Sequence, residues 1–196
     1  MRFLFILAAV IGLWVALKSA APAKWRGMPA PKEPIQGSAN LPDPFRRDHD
    51  TIVPLATYHV EAVVLSRDRY RFDRGADIAP VDLALGWGPM SIASVINDLK
   101  ISQGGRFYEY SWRCEPPLDP QSIVCHSANT HCLPANDAVR RELLAVGRHD
   151  WVEMDGYLVE VRSDDGGHWR SSLTREDSGG GACEVMWVTG VRSHHL

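Results

Sequence analysis

The sequence predicts an α+β domain, in which a small curved antiparallel sheet carries two short helices. About five segments are strand-like, with apolar residues that alternate or run together between turn residues. Two other segments space their apolar residues three and four positions apart, as on one face of a helix. The 196 residues, 45% hydrophobic and 23% charged, have the composition of one ordinary globular domain with an additional terminal segment.

The first strand-like segment is residues 57–65, in which apolar and polar side chains alternate. A second strand is predicted to begin at residues 70–72, after a polar turn, and residues 106–112 are strand-like as well. Residues 77–90 are apolar but are interrupted by prolines and glycines. We therefore expect an irregular loop there, packed on the core.

Both predicted helices have a residue suited to capping their first turn. Ser91 precedes residues 92–100, whose apolar side chains fall on one face. Asn136 can accept hydrogen bonds from the first free backbone amides of the second helix, and Gly147 is suited to ending it. Its apolar face consists of Val139, Leu143 and Val146.

The C-terminal third reads as a bent strand, a hairpin and a closing strand. Residues 151–163 form one long strand-like segment with Gly156 inside it, where a bend is expected. Residues 164–167 have the composition of a hairpin turn, followed by strands at 168–175 and 182–191. This order fits a partly open barrel of the oligonucleotide/oligosaccharide-binding (OB-like) type as the alternative to an open curved sheet.

The N-terminus predicts export or anchoring. Residues 3–17 contain no polar side chain, and small residues follow Lys18. This length lies between the core of a signal peptide and a membrane-spanning helix. We therefore predict that residues 1–23 form a signal peptide or a membrane anchor.

The next segment is rich in proline, which fixes φ and removes backbone donors. Seven prolines fall between residues 21 and 54: Pro22, Pro29, Pro31, Pro34, Pro42, Pro44 and Pro54. The predicted organisation is a spacer over residues 24–51 and a single globular domain over residues 52–196.

These features predict a protein of the bacterial inner membrane whose domain faces the periplasm, or one secreted into the periplasm. The inner membrane, through residues 1–23, is then one partner, and an envelope protein or a glycan is another. Nucleic acid is not expected, since the net charge is −3 and no strong basic field is present. No cofactor is predicted.

Two cysteine–histidine pairs lie close together in VCHSANTHCLPAND, residues 124–137. In an oxidising compartment, an even number of cysteines indicates disulfides, and four cysteines allow three pairings. The candidates are Cys114, Cys125, Cys132 and Cys183. A zinc site made of Cys125, His126, His131 and Cys132 is an alternative, although the usual two-residue gap within each pair is missing.

A third interpretation makes this segment a thiol active site. HCLPANDAVRRELLAVGRHDWVEM, residues 131–154, resembles the active-site segment of the YkuD-type L,D-transpeptidases, which are exported cell-wall enzymes. The resemblance implies that Cys132 attacks the substrate and that His131 or His126 acts as the base. The family has a glycine between its histidine and cysteine, whereas His131 and Cys132 are adjacent and would point to opposite faces of a strand.

A second resemblance covers more of the chain. The segments LGWGPMS, HSANTHCLPA, GYLVEV and WRSSLTREDSGGGACE together resemble a family of uncharacterised, membrane-anchored bacterial proteins. This resemblance implies a location and a fold, and it assigns no activity.

The last candidate site is beside a glycine-rich loop at residues 178–181. Arg175, Glu176 and Asp177 precede it, and its backbone amides could hold an anion. The Gly-Lys-Ser/Thr of a phosphate loop is absent. The function that the sequence favours is a non-enzymatic binding or assembly module of the cell envelope, with a cysteine-dependent hydrolase or transferase and a zinc-binding domain as alternatives.

Overall fold

A computed structural model describes residues 24–72 and 74–195. Its β-strands are β1 (Ile35–Gly37), β2 (Phe45–Arg47), β3 (Asp50–Arg69), β4 (Val81–Gly86), β5 (Lys100–Gly104), β6 (Phe107–Ser111), β7 (Ser127–Pro134), β8 (Trp151–Ser163), β9 (His168–Arg170) and β10 (Glu184–His194). Its α-helices are α1 (Arg74–Ile78), α2 (Ala93–Asp98), α3 (Pro120–Cys125) and α4 (Asp137–Ala145), with a 3₁₀ helix at Gly88–Ser91. The α+β class is thus confirmed, with α1 and α3 in addition to the two predicted helices.

Five strands close into a ring. β3 pairs with β4, β4 with β7, β10 with β8 and β8 with β3, all antiparallel, while β7 and β10 run parallel. The spatial order is therefore first, second, third, fifth and fourth ring strand, then back to the first. This is the order of a five-stranded OB-like barrel.

The long strand β3 serves two parts of the sheet. Its residues up to Val63 pair with β8, and with β1 and β2 over shorter stretches, while Val63–Arg69 pair with β4. Irregularities in register lie between Pro54 and Ala56 and between Val64 and Ser66. Bulges of this kind bend and twist a strand, which allows β3 to follow the curve of the barrel. Pro54 is tolerated because it lies beside such an irregularity.

The main core fills the barrel. Alternate residues of the ring strands point inward, among them Val60, Leu83, Met154 and Met186. Helix α4, between β7 and β8, contributes Val139, Leu143 and Val146 to the same core. Asn136 caps this helix through hydrogen bonds from the amides of Ala138 and Val139, as its position in the sequence predicted.

Strand β4 contradicts the loop predicted over residues 77–90. All six residues of β4 are buried, because the barrel core covers one face and the β5–β6 side of the molecule covers the other. A strand buried on both faces shows no alternation of polar and apolar residues. Pro80 and Gly86 mark the limits of this strand rather than breaks within a loop.

Strands β5 and β6 form a separate two-stranded sheet inserted between β4 and β7. Their turn is Gly105–Arg106, and both residues have positive φ, 58° and 71°. Positive φ at both positions is the requirement of the tightest hairpin turns. For an arginine this conformation is uncommon, and contacts made by its side chain hold it there.

The segment predicted as a spacer, residues 24–51, lies on the barrel instead. Trp25 and Ala30 are buried, and the amide of Trp25 donates to Asn97 Oδ1 at 2.9 Å. β1 and β2 both pair with β3. The prolines of this segment keep it extended, and that extended shape lets it follow the barrel surface.

The predicted signal peptide or anchor, residues 1–23, lies outside the described residues. Among the helices of residues 24–72 and 74–195, none combines the length and the apolar composition needed to cross a bilayer.

We expect Gly156→Ala to destabilise the barrel. A β-carbon at this position would lie 2.0 Å from the carbonyl oxygen of Trp187, which is backbone of the neighbouring strand and cannot rotate away. The expected cost is about 1–3 kcal/mol of unfolding free energy, the range for overpacking, measured by urea denaturation. Gly190→Ala is the matched control, since nothing lies within 4 Å of its added carbon. Equal stability of the two variants would contradict this account.

Candidate functional site

The candidate site lies on the outer face of β4 and β7. Ala128 and Cys132 point into the barrel core, so the alternate residues Ser127, Asn129 and His131 point outward. They remain buried because the β5–β6 hairpin and the segment around β9 cover them. In OB folds the face of the second and third strands, with the adjoining loops, is the usual ligand-binding surface.

Arg106, at the tip of the hairpin, fastens the hairpin to this face. Its guanidinium donates to Asp82 Oδ1 and to the carbonyl oxygen of Ala79, both at 2.9 Å. Asp82 is fully buried and Arg106 keeps 21% of its side chain exposed. A buried carboxylate needs such a partner, so loss of the arginine would leave an uncompensated charge.

Aromatic rings surround the same guanidinium. Its central carbon lies 3.6 Å from the ring centre of Tyr70 and 5.6 Å from that of Trp169. Tyr70 belongs to the loop after β3, and its hydroxyl accepts from the backbone amide of Arg106 at 3.1 Å. The two loops that border the binding face of an OB fold therefore meet here over the hairpin tip.

His131 completes the buried polar group. Its Nδ1 lies 2.9 Å from Asp82 Oδ2, although the two atoms are not aligned as a hydrogen bond. Its ring packs on Trp169, with 4.4 Å between ring centres. Because His131 is 2% exposed, its contacts hold the face together and leave its ring little access to a ligand.

Asn129 connects the hairpin, β7 and the glycine-rich loop. Its Oδ1 accepts from Gln103 Nε2 at 2.7 Å, and its Nδ2 donates to the carbonyl oxygen of Arg106 at 3.0 Å. The same Nδ2 lies 3.7 Å from Cys183 Sγ. The amide is thus fixed in orientation at the end of the barrel where the three segments converge.

A cleft opens beside Asn129. Its volume is about 130 Å³, and its walls come from β6, β7 and the glycine-rich loop. The aromatic wall includes Phe107, which is 54% exposed. The lining residues are Phe107, Tyr108, Tyr110, Val124, Ser127, Ala128, Asn129, Asp177, Ser178, Gly179, Ala182 and Cys183.

The structure does not bring together the residues of the predicted thiol site. Cys132 points into the barrel core, whereas His131 points to the outer face. His126 ends helix α3, where its Nδ1 contacts the carbonyl oxygen of Ser122 at 2.6 Å and its Nε2 lies 3.2 Å from Glu33. Burial raises the pKa of the Cys132 thiol well above its ordinary value, with the Asp82 charge as a second cause.

The predicted disulfides are wrong, because all four cysteines are free thiols. Cys125 lies before the start of β7 and Cys132 near its end, so an extended strand separates them by far more than a disulfide spans. Cys114 is exposed and Cys183 lines the cleft. The alternative zinc set of Cys125, His126, His131 and Cys132 does not converge within the described residues either.

Arg175, Glu176 and Asp177 do not act as one anion site. Arg175 turns inward and donates to Glu184 Oε1 at 2.7 Å and to Gln36 Oε1 at 2.9 Å. Asp177 accepts from Ser172 Oγ at 2.7 Å and lines the cleft. Glu176 is exposed, so the structure places only Asp177 at the candidate site.

The residues that organise the face were missed at the sequence level. Asp82 lies within the supposed loop, and Arg106 is 24 positions away along the chain. A usable signal existed in Gly104–Gly105 before a strand-like segment, since paired glycines mark a tight hairpin turn. No protein-family model, curated protein or solved structure matches this chain.

We expect four alkylated cysteines when the unreduced full-length chain is denatured and treated with iodoacetamide. Under native conditions Cys114 should react first and Cys132 last, since Cys114 is exposed and Cys132 is completely buried with a raised pKa. Mass spectrometry with peptide mapping measures both. Fewer than four labels after denaturation would show that a disulfide forms after all.

Glu184 makes stability depend on pH. Burial raises its pKa to about 8 and outweighs the ion pair with Arg175, which reaches only one of its oxygens. A carboxyl whose pKa is raised on folding holds its proton in the folded state. The contribution of Glu184 to stability is therefore fully present below its ordinary pKa of 4.5 and is lost as the pH rises towards 8.

We expect Glu184→Gln to remove this loss, which is on the order of 3 kcal/mol between about pH 5 and pH 8. Urea denaturation at both pH values measures it. Glu176→Gln, at an exposed position of the preceding loop, is the control and should keep the wild-type pH dependence. A Glu184→Gln variant with the wild-type pH dependence would exclude Glu184 as the cause.

Proposed function

We propose that this protein is a non-enzymatic binding module of the cell envelope, attached through residues 1–23, and that its ligand is an envelope glycan. The observation that supports this best is the cleft beside Asn129, on the surface that OB folds generally use for oligomeric ligands. Aromatic rings and polar side chains both line it.

The size of the cleft favours one unit of a longer ligand. At about 130 Å³ it is smaller than the pockets that enclose a whole small molecule, which begin near ~300 Å³. One sugar ring, with its chain continuing along the surface, suits such a cleft. Gly179 in the wall of the cleft lets a ligand approach the backbone closely.

The chemistry of the walls suits a sugar. Phe107 offers an exposed ring face for the apolar side of a pyranose, and Asp177 offers a carboxylate group for hydroxyls. The net charge of −3 favours a neutral polymer over a polyanion such as nucleic acid. The cysteine-enzyme alternative lacks support, because the Cys132 thiol is buried away from both histidines.

The test is binding of the full-length chain to glycan strands of peptidoglycan freed of their stem peptides. We expect co-sedimentation of the wild-type protein and a weaker interaction for Phe107→Ala. Loss of a half-buried aromatic contact costs about 1–2 kcal/mol, which is about five- to thirtyfold in affinity.

Phe72→Ala is the matched control. Phe72 is 99% exposed on the neighbouring loop and does not line the cleft, so its loss should leave binding unchanged. Absence of binding by the wild-type protein would exclude a glycan ligand of this type. Equal binding by Phe107→Ala and the wild type would exclude this cleft as the site.

A further inference from the structure

A second cluster of polar side chains lies on a different part of the barrel, on the outer surface of the β3–β8 ladder. His59 faces Asp155 directly across the two strands, and Glu61 faces Glu153. Their sequence neighbours Tyr58, Val60, Ala62 and Met154 point into the barrel core. The four polar residues therefore share one outward face.

The β3–β8 backbone beneath this cluster is regularly paired. From Ala56 to Val63, β3 pairs with β8 without a register irregularity. On the other side of β8, β10 pairs with it and shifts register between Val188 and Gly190, next to the partner of Asp155. The Cα atoms of His59 and Glu61 on β3, and of Asp155 and Glu153 on β8, are therefore held at fixed positions relative to one another. A metal site gains affinity when its ligands start from a rigid frame of this kind.

The side chains converge. His59, Glu153 and Asp155 each offer a ligand atom, and these three atoms lie within 4.8 Å of one another. His59 Nδ1 is 2.7 Å from Asp155 Oδ1, while its Nε2 lies 3.9 Å from Glu61 Oε1.

Charge also favours a cation here. Glu61, Glu153 and Asp155 carry three negative charges on one small surface, and Glu61 and Glu153 face each other directly. Lys32 pairs with Glu61 and Arg192 with Glu153, which leaves one negative charge in excess. Like charges placed opposite each other in a sheet are destabilising, so an added cation would relieve this repulsion.

We propose that His59, Glu153 and Asp155 bind one Zn²⁺ ion. Imidazole and carboxylate groups in a set of three or four are ligands that zinc accepts. The ion would tie β3 to β8 on the outside of the barrel. This site is independent of the cleft and of the binding function proposed for it.

The test is a titration of the purified full-length chain with Zn²⁺ by isothermal titration calorimetry. The wild-type protein should take up one equivalent more than His59→Ala. Zinc should also raise the midpoint of thermal unfolding of the wild type by more than it raises that of His59→Ala. Zinc held by the free thiols contributes equally to both proteins and cancels in the comparison.

His49→Ala is the matched control. His49 is exposed and lies 3.9 Å from Asp164, so it is a histidine beside a carboxylate outside the cluster, and its loss should not alter zinc uptake. Asp155→Asn keeps the shape of the side chain and should weaken binding about tenfold or more, which tests the site even if His59→Ala unfolds. Equal zinc uptake by the wild type and by folded His59→Ala or Asp155→Asn would overturn the proposal.

Discussion

The parallel pairing of β7 with β10 is the constraint on which the barrel depends. Without it, the five ring strands, joined by four antiparallel pairings, would end in two free edges, and the core between them would be open. A parallel partner cannot follow through a tight turn, so the intervening chain must cross over the barrel, and it carries α4 and β8 as it does so. The same pairing sets Glu184 opposite Thr130 and brings Cys183 to Asn129.

The elements predicted correctly are those whose signals are local. The limits of β8 match the predicted strand at 151–163, and α4 begins at the residue after its asparagine cap. The expected hairpin after β8 is present, although β9 stops at Arg170. Strands β4 and β7 carried no such signal, because burial on both faces removes the alternation of polar and apolar residues. In β7, the histidine and cysteine also suggested a metal or thiol site rather than a strand.

The candidate site escaped prediction because its contacts are not local. Arg106 contacts Asp82 only because the β5–β6 hairpin folds back over β4. Nothing in the sequence around either residue indicates that the two are partners. Arg175 is the opposite case. Its position beside a glycine-rich loop suggested an anion-binding site, whereas in the structure it pairs with the carboxylate of Glu184. A charged residue beside a flexible loop is thus weak evidence for a ligand until the buried charges of the domain are known.

The docking of the N-terminal segment has a mechanical consequence. Because Trp25 and Ala30 are buried, the chain is already part of the folded body two residues after the segment proposed as an anchor. A flexible tether lets a domain sample a wide volume and every orientation, and its effective concentration falls with tether length. A barrel joined by so short a linker would instead stay at a nearly fixed distance from its point of attachment. It could then meet only those ligands that reach that surface.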